Sequence, residues 1–370
     1  MRLIGSVSLL IATIAQAQPF VSEELVWRTP SPASTYRMVP RAAPVEADGD
    51  GFLVTWSEVE GGVSRAYAGR LDARGRLERV GVRTTGTADA AAIAPLGDRY
   101  IAAWREPNST GGNILVTAAL DRELGVLSAR PIPSPGLSAP VIVRTSGGRA
   151  YVGSGNFLYE VDRDGAPIRV YDVLRPLDDV AVAGDEVGYV LHSFTHTPKF
   201  CGFFNCSRPF DTYDLSFTWL YHSTSAMSTR LAADAPAAVG TNGQTFLVVW
   251  FEARLVQAAF LGSGFDHPFT LSTHGVAAPG PLDQPQIAWD GAQWLVVWRA
   301  DTGIEAAALT PTPSSLTAFK ISPRGYRPAV AAAKEGRFVV TYEDYGFEGR
   351  RLASRVIDFA PQGGRGRAVR

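Results

Sequence analysis

Asn242-Gly243-Gln244-Thr245-Phe246-Leu247-Val248-Val249-Trp250 decides the fold. The chain writes it again as Asp290-Gly291-Ala292-Gln293-Trp294-Leu295-Val296-Val297-Trp298, with the closing tryptophans 48 residues apart. Weaker copies stand earlier, Gly51-Phe52-Leu53-Val54-Thr55-Trp56 and Tyr100-Ile101-Ala102-Ala103-Trp104, again 48 apart. A fixed period of this length marks a chain built from repeated supersecondary units. Each copy opens on a turn such as Asn242-Gly243 or Asp290-Gly291; these residues tolerate positive φ and so start hairpins. The run that follows is apolar on both faces, Val248 and Trp250 on one and Leu247 and Val249 on the other. A strand covered on both sides reads this way.

The unit extends in both directions. A Pro-led strand with small residues precedes the turn: Pro44-Val45-Glu46-Ala47, Pro236-Ala237-Ala238-Val239, Pro285-Gln286-Ile287-Ala288 and Pro328-Ala329-Val330-Ala331. A third strand such as Ser64 to Leu71, a turn such as Asp72-Ala73-Arg74-Gly75 and a fourth strand from Leu77 to Arg83 complete it. Four antiparallel strands in 40 to 50 residues make the blade of a β-propeller, so the fold expected is all-β, a single β-propeller. The 146 residues between Trp104 and Trp250 hold two degenerate copies, ending at Ser154 and Ser193 where tryptophan is expected. With Tyr342 in the last copy, the anchors 56, 104, 154, 193, 250, 298 and 342 count seven four-stranded blades, six and eight being the alternatives. After Arg351 to Phe359 little chain remains for a fourth strand in the last blade. The segment 21–28 is therefore expected to pair there, closing a propeller that spans 18–360 and removing its open edge.

These tandem Gly-x-x-[Tyr/Phe]-Leu-Val-Val-Trp units resemble those of a group of secreted bacterial β-propeller repeat proteins, from about Pro44 to Phe359. The resemblance implies architecture and carries no catalytic residues. The His and Trp-Asp signatures of WD40 blades are missing, as is the Ser-x-Asp-x-Gly-x-Thr-Trp box of sialidases.

Arg2, the apolar stretch Leu3 to Ile14 and Ala15-Gln16-Ala17 read as a signal peptide over 1–17, cleaved after Ala17, which implies an exported protein, periplasmic or extracellular. No run approaches the roughly 20 apolar residues of a membrane helix. Of 35 basic and 36 acidic residues, removal of Arg2 leaves 34 against 36, a net charge near −2. Such a balance offers no basic field for nucleic acid or anionic lipid. The basic tail, 361–370, reads as a solvated, disordered terminus. A monomer is expected.

Aligned copies place acids two positions beyond the anchor, Glu58, Glu106, Glu252 and Asp344, with Ala300 standing there in the sixth. The segments leading into the inner strands carry Asp89, Asp178, Asp179, Asp234 and Asp283, beside Arg41, Tyr326 and Arg327. In a propeller both sets sit on one face, so they are candidates for a ring at the channel mouth. Convergent carboxylates would supply the oxygen ligands Ca²⁺ takes, or the acid and base of a hydrolase. Acids recurring at one position of every unit also read as repeat consensus, capping turns or pairing with arginines. The fourth unit departs most, with His192, His196, Cys201 and Cys206 and a 57-residue interval to Trp250, so 194–219 is expected to protrude as an aromatic loop. Two cysteines so close in an exported chain point to a local Cys201–Cys206 disulfide; the His/Cys spacing fits no usual zinc pattern. No nucleophile elbow, zincin helix or phosphate loop occurs. The function these features favour is a binding or scaffold propeller that takes a protein or glycan partner through the loops of one face. The alternative is a hydrolase or lyase acting on a sugar or lactone, with carboxylates or a metal at the mouth.

Overall fold

The computed structural model describes residues 19–28, 35–37 and 45–359, apart from 61, 85, 110–111, 133–140, 174–175, 184–185, 198–209, 222–223, 234, 262–267, 273–275, 277–283, 312–315, 334–335 and 347–348. The proposed signal peptide, the basic tail, Cys201, Cys206, Asp234 and Asp283 lie outside the described residues. No helix among the described residues is long and apolar enough to cross a membrane.

Among the described residues the strands pair antiparallel into seven sheets, six running outward in chain order and the seventh carrying the N-terminal strands on its outer edge. Numbered as blades from the N-terminus, their inner strands are Val45–Asp48, Asp89–Leu96, Val141–Ser146, Leu177–Ala183, Ala238–Thr241, Gln286–Trp289 and Tyr326–Ala332. Each inner strand touches the next, and that of blade 7 touches that of blade 1, so the sheets form a closed β-propeller.

The two apolar faces of each second strand account for the packing. Val248 and Trp250 pack with Ala181 of blade 4, while Leu247 and Val249 pack with Trp294, Val296 and Trp298 of blade 6. The same division recurs around the ring, leaving one apolar cluster at every junction between successive blades. Trp56, Trp104, Trp250, Trp298 and Tyr342 all face the preceding blade. Trp56, Trp250, Trp298 and Tyr342 are fully buried, and burying such a ring stabilises by about 3 kcal/mol or more.

The turns before the fourth strands lock neighbouring blades. Asp72, Asp121 and Asp162 each accept two backbone N–H groups at Oδ1, from residues two and four positions on, at 2.7–2.9 Å. The tips then dock on the preceding blade: Ser354 Oγ donates to the Gly75 carbonyl at 2.8 Å, and Thr117 Oγ1 to that of Gly165 at 2.6 Å. A Cβ on Gly81 would stand 2.2 Å from that of Leu124, so blade 1 needs glycine where the turn of blade 2 packs.

Both chain ends build blade 7. Phe20–Val21 and Leu25–Arg28 pair with Gly349–Asp358, in register Phe20↔Asp358 and Leu25↔Ser354. Side chains rivet the seam: Glu24 Oε2 accepts from Tyr342 Oη at 2.6 Å and its Oε1 from Arg351 Nη2 at 3.1 Å.

Blade 4 differs from the expected aromatic loop. Residues 194–197 and 210–219 continue its two middle strands, Glu186–Thr197 and Phe210–Tyr221, paired out to Thr197↔Phe210. The reason is register: alternating β-formers on both arms let the ladder run on instead of turning. The anchor position shifts too. Counting five residues from the first residue after the two-residue turn gives Trp56, Trp104 and Ser154, and in blade 4 it gives Leu191 rather than Ser193.

Candidate functional site

The acids beyond the anchors are held by their own blades. In a strand, residues i and i+2 share a face, so an indole and an acid two positions on can meet. Trp56 Nε1 donates to Glu58 Oε1 at 2.7 Å, Trp104 Nε1 to Glu106 Oε1 at 2.7 Å and Trp250 Nε1 to Glu252 Oε2 at 3.2 Å. Blade 6 supplies the control. Ala300 replaces the acid there, and the buried Trp298 Nε1 has no hydrogen-bond partner among the described residues. Asp344, fully buried, lies against Arg351 Nη2 at 2.5 Å and Arg324 Nε at 2.9 Å. The recurring carboxylate thus answers a neighbouring donor, a buried indole in three blades and two partly exposed guanidinium groups in the last.

At the start of the blade 4 inner strand, Asp178 and Asp179 serve the seam with blade 5. Asp178 Oδ2 accepts from Ala237 N at 3.2 Å, stitching blade 4 to blade 5. Asp89 opens its strand opposite Arg105. Arg327, at φ 50° beside a register shift in the last inner strand, pairs with the buried Glu343 at 2.8 Å. The Arg299 guanidinium stacks 4.2 Å from the Tyr326 ring centroid. Among the described residues no group of three or more His, Cys, Asp and Glu is placed to hold a metal ion.

The central channel holds a second cluster, of which the sequence singled out only Asp179. Arg144 of blade 3 reaches across to Glu46 Oε1 of blade 1 at 2.6 Å and to Asp179 Oδ1 of blade 4 at 3.2 Å. Its Nε donates to the Val180 carbonyl at 3.1 Å and Nη1 to that of Val143 at 3.2 Å. Asp179 also accepts from Val180 N at 2.8 Å and Val239 N at 3.1 Å. Burial pushes the Glu46 carboxyl up to about 7, against the attraction of Arg144 and with the repulsion of Asp179. Burial raises Asp179 as well, opposed by Arg144 and its two backbone donors. Next to this strut lies a cavity of about 270 Å³, where the inner strands of six blades approach their turns. Glu46, Arg144 and Thr145 line one part, and Val239, Ile287 and Trp289 another. A lone arginine inside the apolar strand Val141-Ile142-Val143-Arg144 was the available signal, a charge where a strand should be buried on both faces.

No protein-family model matches the sequence, and no curated protein matches it. Solved structures do. The WD40 domain of Toxoplasma gondii coronin aligns over 93% of this chain and 87% of its own, at 10% identity with a TM-score of 0.61. The likeness is one of fold: both are β-propellers. BamB from Moraxella catarrhalis aligns over 94% and 99% of the two chains at 10% identity with a TM-score of 0.46. A structure of YCF48 bound to D1 peptide aligns over 89% and 99% at 8% identity with the same score of 0.46.

Proposed function

We propose that this chain is an exported binding propeller that takes a protein or glycan partner on the face where its inner strands begin. One observation carries the reading. The middle strands of blade 4 are 12 residues each, against 6 and 5 in blade 3. Leu177 pairs with Leu191, so residues 192–197 run past the start of the inner strand, still paired with 210–215. Six residues at ~3.3 Å each carry that ladder roughly 20 Å beyond the inner strand. A closed ring gains little stability from an arm at one rim, whereas an asymmetric arm on a symmetric frame suits recognition. The acids beside the other anchors support this reading, since they are engaged with tryptophan or arginine and offer the face no unpaired catalytic ring.

Replacing 196–211 by Asn-Gly would join Thr195 to Thr212, which already face each other. The shortened protein should keep the melting temperature of the full one and lose a partner that the full one retains from envelope extract or a glycan array. Equal retention by the two, or no retention by either, would remove the case for recognition through this arm.

A further inference from the structure

The channel cavity contains a charge imbalance. Among the described residues that line it only Glu46 and Arg144 are charged, and Arg144 is shared with Asp179, leaving two carboxylates to one guanidinium. The arginine is committed: Nε, Nη1 and Nη2 all donate to groups of the frame. Asp179 is committed as well, to two backbone amides and the guanidinium. Glu46 is the exception. Its Oε1 takes Arg144, its Oε2 has no hydrogen bond from the described residues, and its side chain is 25% exposed against 8% for Asp179. Once Glu46 is ionised, above about pH 7, the surplus negative charge therefore sits on a carboxylate that lines the cavity.

The lining also includes aromatic surface. Trp289 and Trp294 both line the space, their rings 5.0 Å apart and inclined at 50°. A carboxylate with an open acceptor next to indole surface suits a cation that also presents an apolar body. An anion would meet a guanidinium with its donors already used and a surplus of negative charge. A neutral ligand would leave that charge uncompensated. Size sets the last condition: about 270 Å³ equals the liquid volume of roughly nine waters, enough for a ligand of about ten heavy atoms.

We infer that the channel cavity binds a small organic ammonium ion with a compact apolar body, its N–H donated to Glu46 Oε2 and its body set against Trp289 and Ile287. The site lies at the opposite end of the inner strands from the blade 4 arm, so it stands or falls separately from the partner-binding reading.

The test is calorimetric titration of the full chain at about pH 8, above the range of the Glu46 carboxyl, with three probes of one shape: phenethylammonium, phenethyl alcohol and phenylacetate. The cation should bind at least about tenfold more tightly than the other two, a difference of ~1.4 kcal/mol. Glu46→Gln should bring the cation down to the affinity of the alcohol while the circular dichroism spectrum of the folded protein is kept. Trp289→Leu should weaken cation and alcohol together. Equal affinities for the three probes, no binding of the cation, or an unaltered affinity in Glu46→Gln would each overturn the assignment. Should Glu46→Gln fail to fold, the comparison of the three probes on the unaltered chain decides.

Discussion

The hydrogen bond between an anchor tryptophan and the acid two positions on can be weighed directly, and blade 2 offers the cleanest place. Trp104 is 5% exposed and Glu106 only half-buried, and they meet at 2.7 Å. Glu106→Ala removes the acceptor and leaves a buried N–H with water as its only recourse. A hydrogen bond to a charged group contributes about 1.5–3 kcal/mol, which partial exposure of the acid reduces to about 1–2 kcal/mol. Unfolding entropy of about 2.1 cal/mol/K per residue over roughly 340 residues gives ~0.7 kcal/mol/K, so the loss should lower the melting temperature by about 1.5–3 °C. Trp104→Phe removes the same N–H but also leaves a space. Scanning calorimetry on the two single variants and the double variant separates these effects, because the space cancels around the cycle. The coupling should be about 1 kcal/mol or more. Blade 6 gives the converse, since Ala300→Glu supplies the missing acceptor to Trp298 and should raise the melting temperature by about 1–2 °C. Additivity within about 0.3 kcal/mol in blade 2 would refute the idea that the repeat retains its acids for its indoles.

Three further outcomes follow from the geometry. Glu46 is held near 7 in the fold against an ordinary 4.5, so its protonated form is favoured by folding; that contribution is present below pH 4.5 and fades as pH rises to about 7. Glu46→Gln should flatten this slope in urea titrations, and an unchanged slope would contradict the assignment. Tyr342 is pushed from 10.0 up to about 12 by burial and then by its bond to Glu24, so its share of stability should hold below pH 10 and vanish between there and about pH 12. Tyr342→Phe should lack that alkaline loss. Gly303 has φ 123°, and a Cβ on it would stand 2.1 Å from the Ser322 carbonyl oxygen. Gly303→Ala should cost at least ~2 kcal/mol, seen as a fall of about 3 °C or more in melting temperature; an unchanged value would refute the close approach.

The repeat made the frame legible because its signals are local. Asn242-Gly243 and Asp290-Gly291 mark turns, and apolar residues at odd and even positions announce a strand with neighbours on both sides. The site was less legible for two physical reasons. The spacing of Trp104 and Glu106 was visible, but their shared strand face turns that spacing into an internal hydrogen bond, where a ring of carboxylates at the mouth had been expected. The strut of Glu46, Arg144 and Asp179 joins residues 98 and 35 positions apart in the chain, and only ring closure makes them neighbours. Blade 4 misled through its composition: the aromatic residues between Phe194 and Trp219 read as a loop, yet they lie mostly on two paired strands.

The seam in blade 7 also governs when the molecule can become whole. Phe20 pairs with Asp358, so a stretch of more than 300 residues must be in place before that contact can form. Closing a loop of that length costs ~5 kcal/mol of chain entropy by the usual logarithmic law, and folds dominated by such distant contacts assemble slowly. During synthesis the first strand is made long before its partner exists. Until the last blade arrives, both flanks of the growing arc are uncovered apolar sheet faces, open to association with another chain. A chain truncated anywhere before Gly349 would never leave that state.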